Sequence, residues 1–157
     1  KYKNISQNIA HFGFSLFILS ILFNNILSTE IITNLKIGET FKSEKFKLNF
    51  ESVDKKKGDN YEAIIGKFNI ENNDGFIEIL RPELRIYNQP KIITSEADIK
   101  TNFFSDKFIT MNLIQNQEYF NVRYQVKPLM IWIWLSVLLI CIGGILTLFK
   151  NKYEIKN

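Results

Sequence analysis

Hydrophobic residues crowd the two ends of this chain and alternate with polar ones in between. From residue 4 to residue 29 there is no Asp, Glu, Lys or Arg, and positions 9–27 are dominated by Ile, Leu and Phe. A run of that length predicts a helix able to cross a bilayer. A second uncharged run covers 128–149 and is richer still, with Pro128 suited to its first turn. Between the runs the period changes to two. Phe46, Leu48 and Phe50 alternate with Lys47, Asn49 and Glu51, and Phe120, Val122, Tyr124 and Val126 alternate with Asn121, Arg123, Gln125 and Lys127. Such alternation marks half-buried strands. Shorter strands are predicted over 62–70, 76–80, 84–87 and 91–94. Turns are marked by Lys57-Gly58-Asp59-Asn60 and, more strongly, by Asn72-Asn73-Asp74-Gly75. Only residues 94–99 read as a helical turn, with Thr94 or Ser95 as its cap.

Closely spaced strands with little helix predict a small sandwich or barrel. The expected fold class is a membrane protein in which two transmembrane helices flank a small all-β domain. Its expected divisions are a tail over 1–8, a spanning helix over 9–28, the β domain over 29–127, a second spanning helix over 128–149 and a tail over 150–157. The junction from Val126 through Lys127 and Pro128 to Leu129 is too short for a flexible tether, so a domain held at fixed height is expected.

Charge sets the orientation. The chain carries +4 overall, yet residues 30–127 hold 15 Lys+Arg against 15 Asp+Glu. The excess lies in the tails, at Lys1, Lys3, Lys150, Lys152 and Lys156 against Glu154. Basic residues flanking the outer ends of both helices predict that both termini face the cytoplasm, or the matrix in an organelle. The β domain is then exported, to the periplasm in a bacterium. Trp132 and Trp134 fall where an aromatic belt would meet the outer surface. A basic pI of this origin gives no reason to expect nucleic acid as a partner. Cys141 stands alone in mid-helix, so no disulfide framework is expected. The first helix lacks a small-residue cleavage pattern and is expected to be retained. A chain that starts at Lys1 is expected to be processed or to continue something longer.

One residue inside the first run needs a reason. His11 is the only histidine, and an ionisable side chain at mid-membrane costs roughly 2.5 kcal/mol or more. Imidazole is a common axial ligand of haem iron. A histidine near a helix end is also tolerated where its ring reaches the headgroups. Residue type leaves both readings open. Elsewhere the chemistry is thin: there is no Gly-rich phosphate loop, no cysteine pair and no second histidine. Asp59 with Glu62, and Glu78 with Glu83, are formal carboxylate pairs whose ordinary reading is solvated charge. Lys55-Lys56-Lys57 reads as a solvated loop. Leu80-Arg81-Pro82-Glu83-Leu84-Arg85-Ile86-Tyr87 reads first as a turn whose arginines pair with carboxylates, and second as a cationic patch for an acidic partner face or haem propionates. No catalytic residue is assigned.

Several segments, taken in order, resemble the C-terminal portion of the CcmF-type cytochrome c biogenesis proteins, the membrane haem-lyase component. Ile9-Ala10-His11-Phe12-Gly13 is similar to the family's Ala-His-x-Gly segment at the start of a membrane helix. Asp59-Asn60-Tyr61-Glu62-Ala63 is similar to its Asn-Tyr-x-Ala loop, with Asp59 where proline is expected. Leu80 to Tyr87 resembles its Pro-Glu-x-Arg-x-Tyr segment, and Thr94-Ser95-Glu96-Ala97 its Thr-x-Glu-Ala segment. Lys127-Pro128-Leu129, then Trp132-Ile133-Trp134-Leu135 and Gly143-Gly144, resembles its closing helix, with Ser136 where glycine is usual. The family's tryptophan-rich haem-handling segment has no counterpart in this chain.

The resemblance implies that His11 is an axial ligand to the iron of a membrane b-type haem. A bis-histidine iron then needs a second imidazole from another helix, in the remaining part of the same haem lyase or in a separate subunit. It further implies a haem-delivery chaperone, apocytochrome c and the lipid bilayer as partners, and covalent haem attachment as the activity of the whole. The expected place is the bacterial inner membrane, or the mitochondrial inner membrane for an organellar source. The competing expectation is a non-catalytic, membrane-anchored scaffold whose β domain binds a protein partner and whose His11 is incidental. An ion-conducting pair of helices is disfavoured, because no further charged group is available to line a pore.

Overall fold

In the computed structural model, which describes residues 5–114 and 118–154 with side chains to 149, both apolar runs are helices. They are α1, Ile5–Leu27, and α2, Met130–Glu154. Among the described residues, ten strands lie between them. In order these are β1 Thr29–Leu35, β2 Thr40–Lys42, β3 Phe46–Lys57, β4 Tyr61–Asn72 and β5 Ile77–Leu80. The remainder are β6 Glu83–Tyr87, β7 Ile93–Glu96, β8 Asp98–Thr101, β9 Ser105–Leu113 and β10 Phe120–Pro128. The chain forms two compact units. One holds α1 and α2 together with residues 101–106, and the other holds residues 29–100 and 107–126.

The second unit is a β-sandwich. One sheet runs β1-β10-β9-β8, and the other β2-β3-β4-β6-β7 with β5 also paired to β4. Alternation works as the sequence predicts along β3, where Phe46, Leu48 and Phe50 are buried opposite Asn72, Ile70 and Phe68 of β4. From the facing sheet Ile109, Met111, Val122 and Tyr124 close the core. Phe50 stacks on Phe68 at 4.3 Å and meets the edge of Phe120 at 5.3 Å, tying one sheet to the other. A bulge between Phe50 and Ser52 shifts the inward positions of β3, so that Val53 rather than Ser52 packs against the core. Gly66 lets the sheets approach: a Cβ there would sit 2.7 Å from the Met111 sulfur. Gly75, at φ +74°, supplies the left-handed residue of the Asn72–Gly75 turn.

Two local expectations are corrected. Residues 94–99 form no helical turn but end β7 and begin β8, each at one edge of its sheet. The Ser95 hydroxyl, instead of capping a helix, donates to the Met111 carbonyl at 2.7 Å, so tertiary pairing overrides local propensity. Lys55, Lys56 and Lys57 are the last residues of β3 rather than a loop, although they are exposed as expected.

In the first unit, α1 and the 130–149 segment of α2 are long and apolar enough to cross a membrane, with mean hydropathies of 1.7 and 2.5. Only 11% of each span is buried within the chain. Most of their apolar surface is therefore left for lipid or for other helices.

Candidate functional site

Small residues decide which way α1 faces. A Cβ on Gly13 would come within 3.0 Å of the Ile140 nitrogen and the Ser136 oxygen. A Cβ on Gly143 would come within 2.8 Å of Ala10 and Ser6. Ser20 and Ser136 are buried on the same seam, at 1% and 0% exposure. Close approach through small side chains is how apolar helices pair where no hydrophobic driving force acts between them. At the far end Asn24 donates from its amide to the Pro128 carbonyl at 2.5 Å.

This seam fixes the direction of His11. An α-helix advances about 100° per residue, which puts His11 about 140° around α1 from the seam's centre. Its side chain is exposed, and the Gln7 amide lies 3.4 Å from its Nε2. One turn on, the Ser15 hydroxyl donates to the His11 carbonyl at 3.0 Å, satisfying that group along the helix. Phe14, Ile18 and Leu22 continue the same face, exposed by 56%, 44% and 53%. The result is one nitrogen donor on an apolar, unpartnered face turned away from α2. Among the described residues no three His, Cys, Asp or Glu side chains gather as a metal ligand set, so His11 is a single donor.

The other sequence candidates separate. Glu78 and Glu83 do not meet: Glu83 accepts from Arg85 at 2.9 Å, whereas Glu78 accepts from Lys107 at 2.7 Å inside the sandwich. Asp59 and Glu62 are exposed on the β3–β4 hairpin. Arg85 also lies 5.1 Å over the Tyr61 ring, and its guanidinium is held even more firmly protonated by the Glu83 bond. The Arg81 amide donates to Asp98 at 2.6 Å. The turn reading thus describes Arg85 well. On the outer face of β3 and β4, hydrogen bonds from Lys67 and Asn69 hold the Glu51 carboxyl below the usual carboxylate range.

Sequence reasoning misses two features. The buried Glu78–Lys107 pair is invisible because both residues read as surface charge. The second is the turn at Phe103 and Phe104, bonded to the start of α2. Its signal is present, as two adjacent aromatics in the uncharged stretch 101–105.

Comparison with known proteins agrees with this architecture. The family model described as the CcmF C-terminal beta-sandwich matches residues 26–128. The chain is 28% identical over 150 residues to the cytochrome c-type biogenesis protein CcmF of Pseudomonas fluorescens, covering 96% of this chain and 23% of that protein. It is 31% identical over 125 residues to a cytochrome c-type biogenesis protein of Rhodobacter capsulatus, covering 80% of this chain and 19% of the relative. A solved structure titled Cytochrome c Heme Lyase CcmF shares the fold at a TM-score of 0.68 and 19% identity, over 91% of this chain and 24% of that one. The chain thus spans less than a quarter of the length of these relatives. With a matched β-sandwich and an apolar helix on either side of it, the chain belongs to the CcmF family of cytochrome c-type biogenesis proteins, as a C-terminal portion.

Proposed function

We propose that this chain is the C-terminal part of a membrane haem lyase, in which His11 supplies one axial nitrogen to a b-type haem. The observation that carries the reading is the direction of His11. Within the hydrocarbon layer, a polar side chain turned away from α2 is stabilised by another protein element or a ligand on that face. Neutral imidazole fits haem iron, and Phe14, Ile18 and Leu22 offer an apolar wall beside it. Bound there, the haem would supply one-electron chemistry that keeps incoming haem iron reduced. His11 would hold it through one ring nitrogen, and any second histidine ligand would have to come from outside this chain, which has no other histidine. The basic tails support placement of both termini inside and the β-sandwich outside, where apocytochrome c and a haem-delivery chaperone would be met. Lys1, Lys3 and Lys156 lie outside the described residues, as do the side chains of Lys150 and Lys152.

The test is a haem spectrum of the detergent-extracted assembly with and without His11→Ala. The reading expects b-type haem to fall with protein levels unchanged, because removing a polar group does not oppose insertion. An unaltered spectrum in a stably inserted His11→Ala protein would transfer the weight to the scaffold reading.

A further inference from the structure

At the turn between β8 and β9, the Asn102 amide donates to the Ser105 carbonyl at 3.0 Å, leaving Phe103 and Phe104 at the tip. The two residues are 55% and 69% exposed, and residues 101–105 carry no charge. Both tip carbonyls are already used. That of Phe104 accepts from the Leu129 amide at 2.8 Å, and that of Phe103 accepts from the Trp132 indole at 3.1 Å. The rings form a chain of edge contacts, Phe104 to Phe103 at 5.2 Å and Phe103 to Trp132 at 5.0 Å. Leu129, at φ +58°, is the residue that turns the backbone into α2 while presenting its amide to the tip.

We propose that the Phe103–Phe104 turn is a lipid-contacting element, seated in the interfacial layer of the leaflet where α2 begins. This rests on the reading of α2 as a spanning helix. The height of the turn is set by its bonds to Leu129 and Trp132, at the first turn of α2, where interfacial aromatics belong. Trp134, two residues on, is 70% exposed, so the aromatic level continues around the helix. Lipid fits this surface better than a folded partner does. The tip offers apolar rings with their backbone acceptors satisfied and no charge for a directional contact, and an interface of headgroups and upper acyl chains accepts such rings without shape complementarity. In water the same tip would expose two large apolar rings beside a third aromatic with nothing to cover them.

The experiment uses the full chain with Cys141→Ser, so that a single introduced cysteine carries a nitroxide, in phosphatidylcholine/phosphatidylglycerol vesicles. Phe103→Cys and Phe104→Cys both keep the carbonyls that make the bonds. Leu138→Cys reports on the span, and Asn73→Cys on the β4–β5 turn. Labels at 103 and 104 are expected to collide more with oxygen than with a water-soluble nickel chelate, at a depth shallower than residue 138. Nickel access at both positions equal to that at 73, with 138 still in hydrocarbon, would overturn the proposal while leaving the span intact. Nickel access at 138 would overturn the spanning helix itself and the proposal with it. Shielding of both tip labels from both colliders would show a protein partner in place of lipid, and also overturn it.

Discussion

Lys107 donates to Glu78 at 2.7 Å with its side chain 11% exposed and that of Glu78 5% exposed, so an ion pair joins β9 to β5 inside the sandwich. Tyr124 stands close enough to feel the Glu78 charge. A polar cluster therefore interrupts an otherwise apolar core of Phe, Leu, Ile and Met. Breaking a buried pair from one side leaves the other charge without compensation.

From the sequence alone, Glu78→Gln reads as a harmless surface change. The structure reverses that expectation. Glu78→Gln and Lys107→Met should each destabilise the sandwich by about 3–5 kcal/mol, the usual cost of orphaning a buried charge. The double variant Glu78→Leu/Lys107→Met should recover much of the loss, since an apolar replacement of both partners removes the desolvation cost as well. Chemical unfolding of the three variants, followed by tertiary aromatic circular dichroism, checks the order; a double variant as weak as the sum of the singles would contradict it.

Leu48 and Val122 lie at 0% exposure on facing sheets, and each is an inward position that alternation predicts. Leu48→Ala should cost about 2–5 kcal/mol, a large share of a small domain's stability. Val122→Ala removes fewer methylene groups and should cost less. Protein yield and unfolding midpoint both report this, and an unchanged midpoint for Leu48→Ala would mean that the core is not where the structure places it.

How far the sequence was readable depends on whether each strand's pattern survives its chemistry. β3 and β10 keep a clean period of two over several residues, and both helices keep unbroken apolar runs. β9 does not, because its inward series is Lys107, Ile109 and Met111, and a lysine at the first inward position erases the alternation. Residues 94–99 mislead for the opposite reason: Thr, Ser, Glu and Ala mimic a helix start, while edge pairing and the Ser95–Met111 bond hold them extended. His11 stands out by type in any reading. Its direction does not, since that depends on Gly13 and Gly143 choosing the seam.

Alkaline pH offers a separate check on the core. Burial, with Glu78 nearby, raises the Tyr124 phenol well above its ordinary value near 10. The unfolded chain therefore loses this proton before the folded one does. Stability should be unaffected by this group below about pH 10 and should fall as pH rises beyond it. Tyr124→Phe should remove that part of the decline. A pH series of unfolding midpoints for the two proteins, identical in slope above pH 10, would show that Tyr124 is not buried.

The final prediction separates the direction of the imidazole from its presence. In a His11→Ala background, Ala10→His moves the ring back by one residue, which rotates it by about 100° toward the seam with α2. There Ala10 already lies within 2.8 Å of the position a Gly143 Cβ would take, so a larger side chain must also push the helices apart. The relocated histidine should therefore fail to restore b-type haem in the assembled protein, even though depth in the membrane changes by only about 1.5 Å. Exogenous imidazole added to His11→Ala alone should restore part of the spectrum, because it can occupy the vacated direction without disturbing the seam. Haem recovered fully by Ala10→His would mean that the face of α1 does not matter. In that case a histidine merely near this depth would suffice, and the assignment of the outward face as the haem side would be wrong.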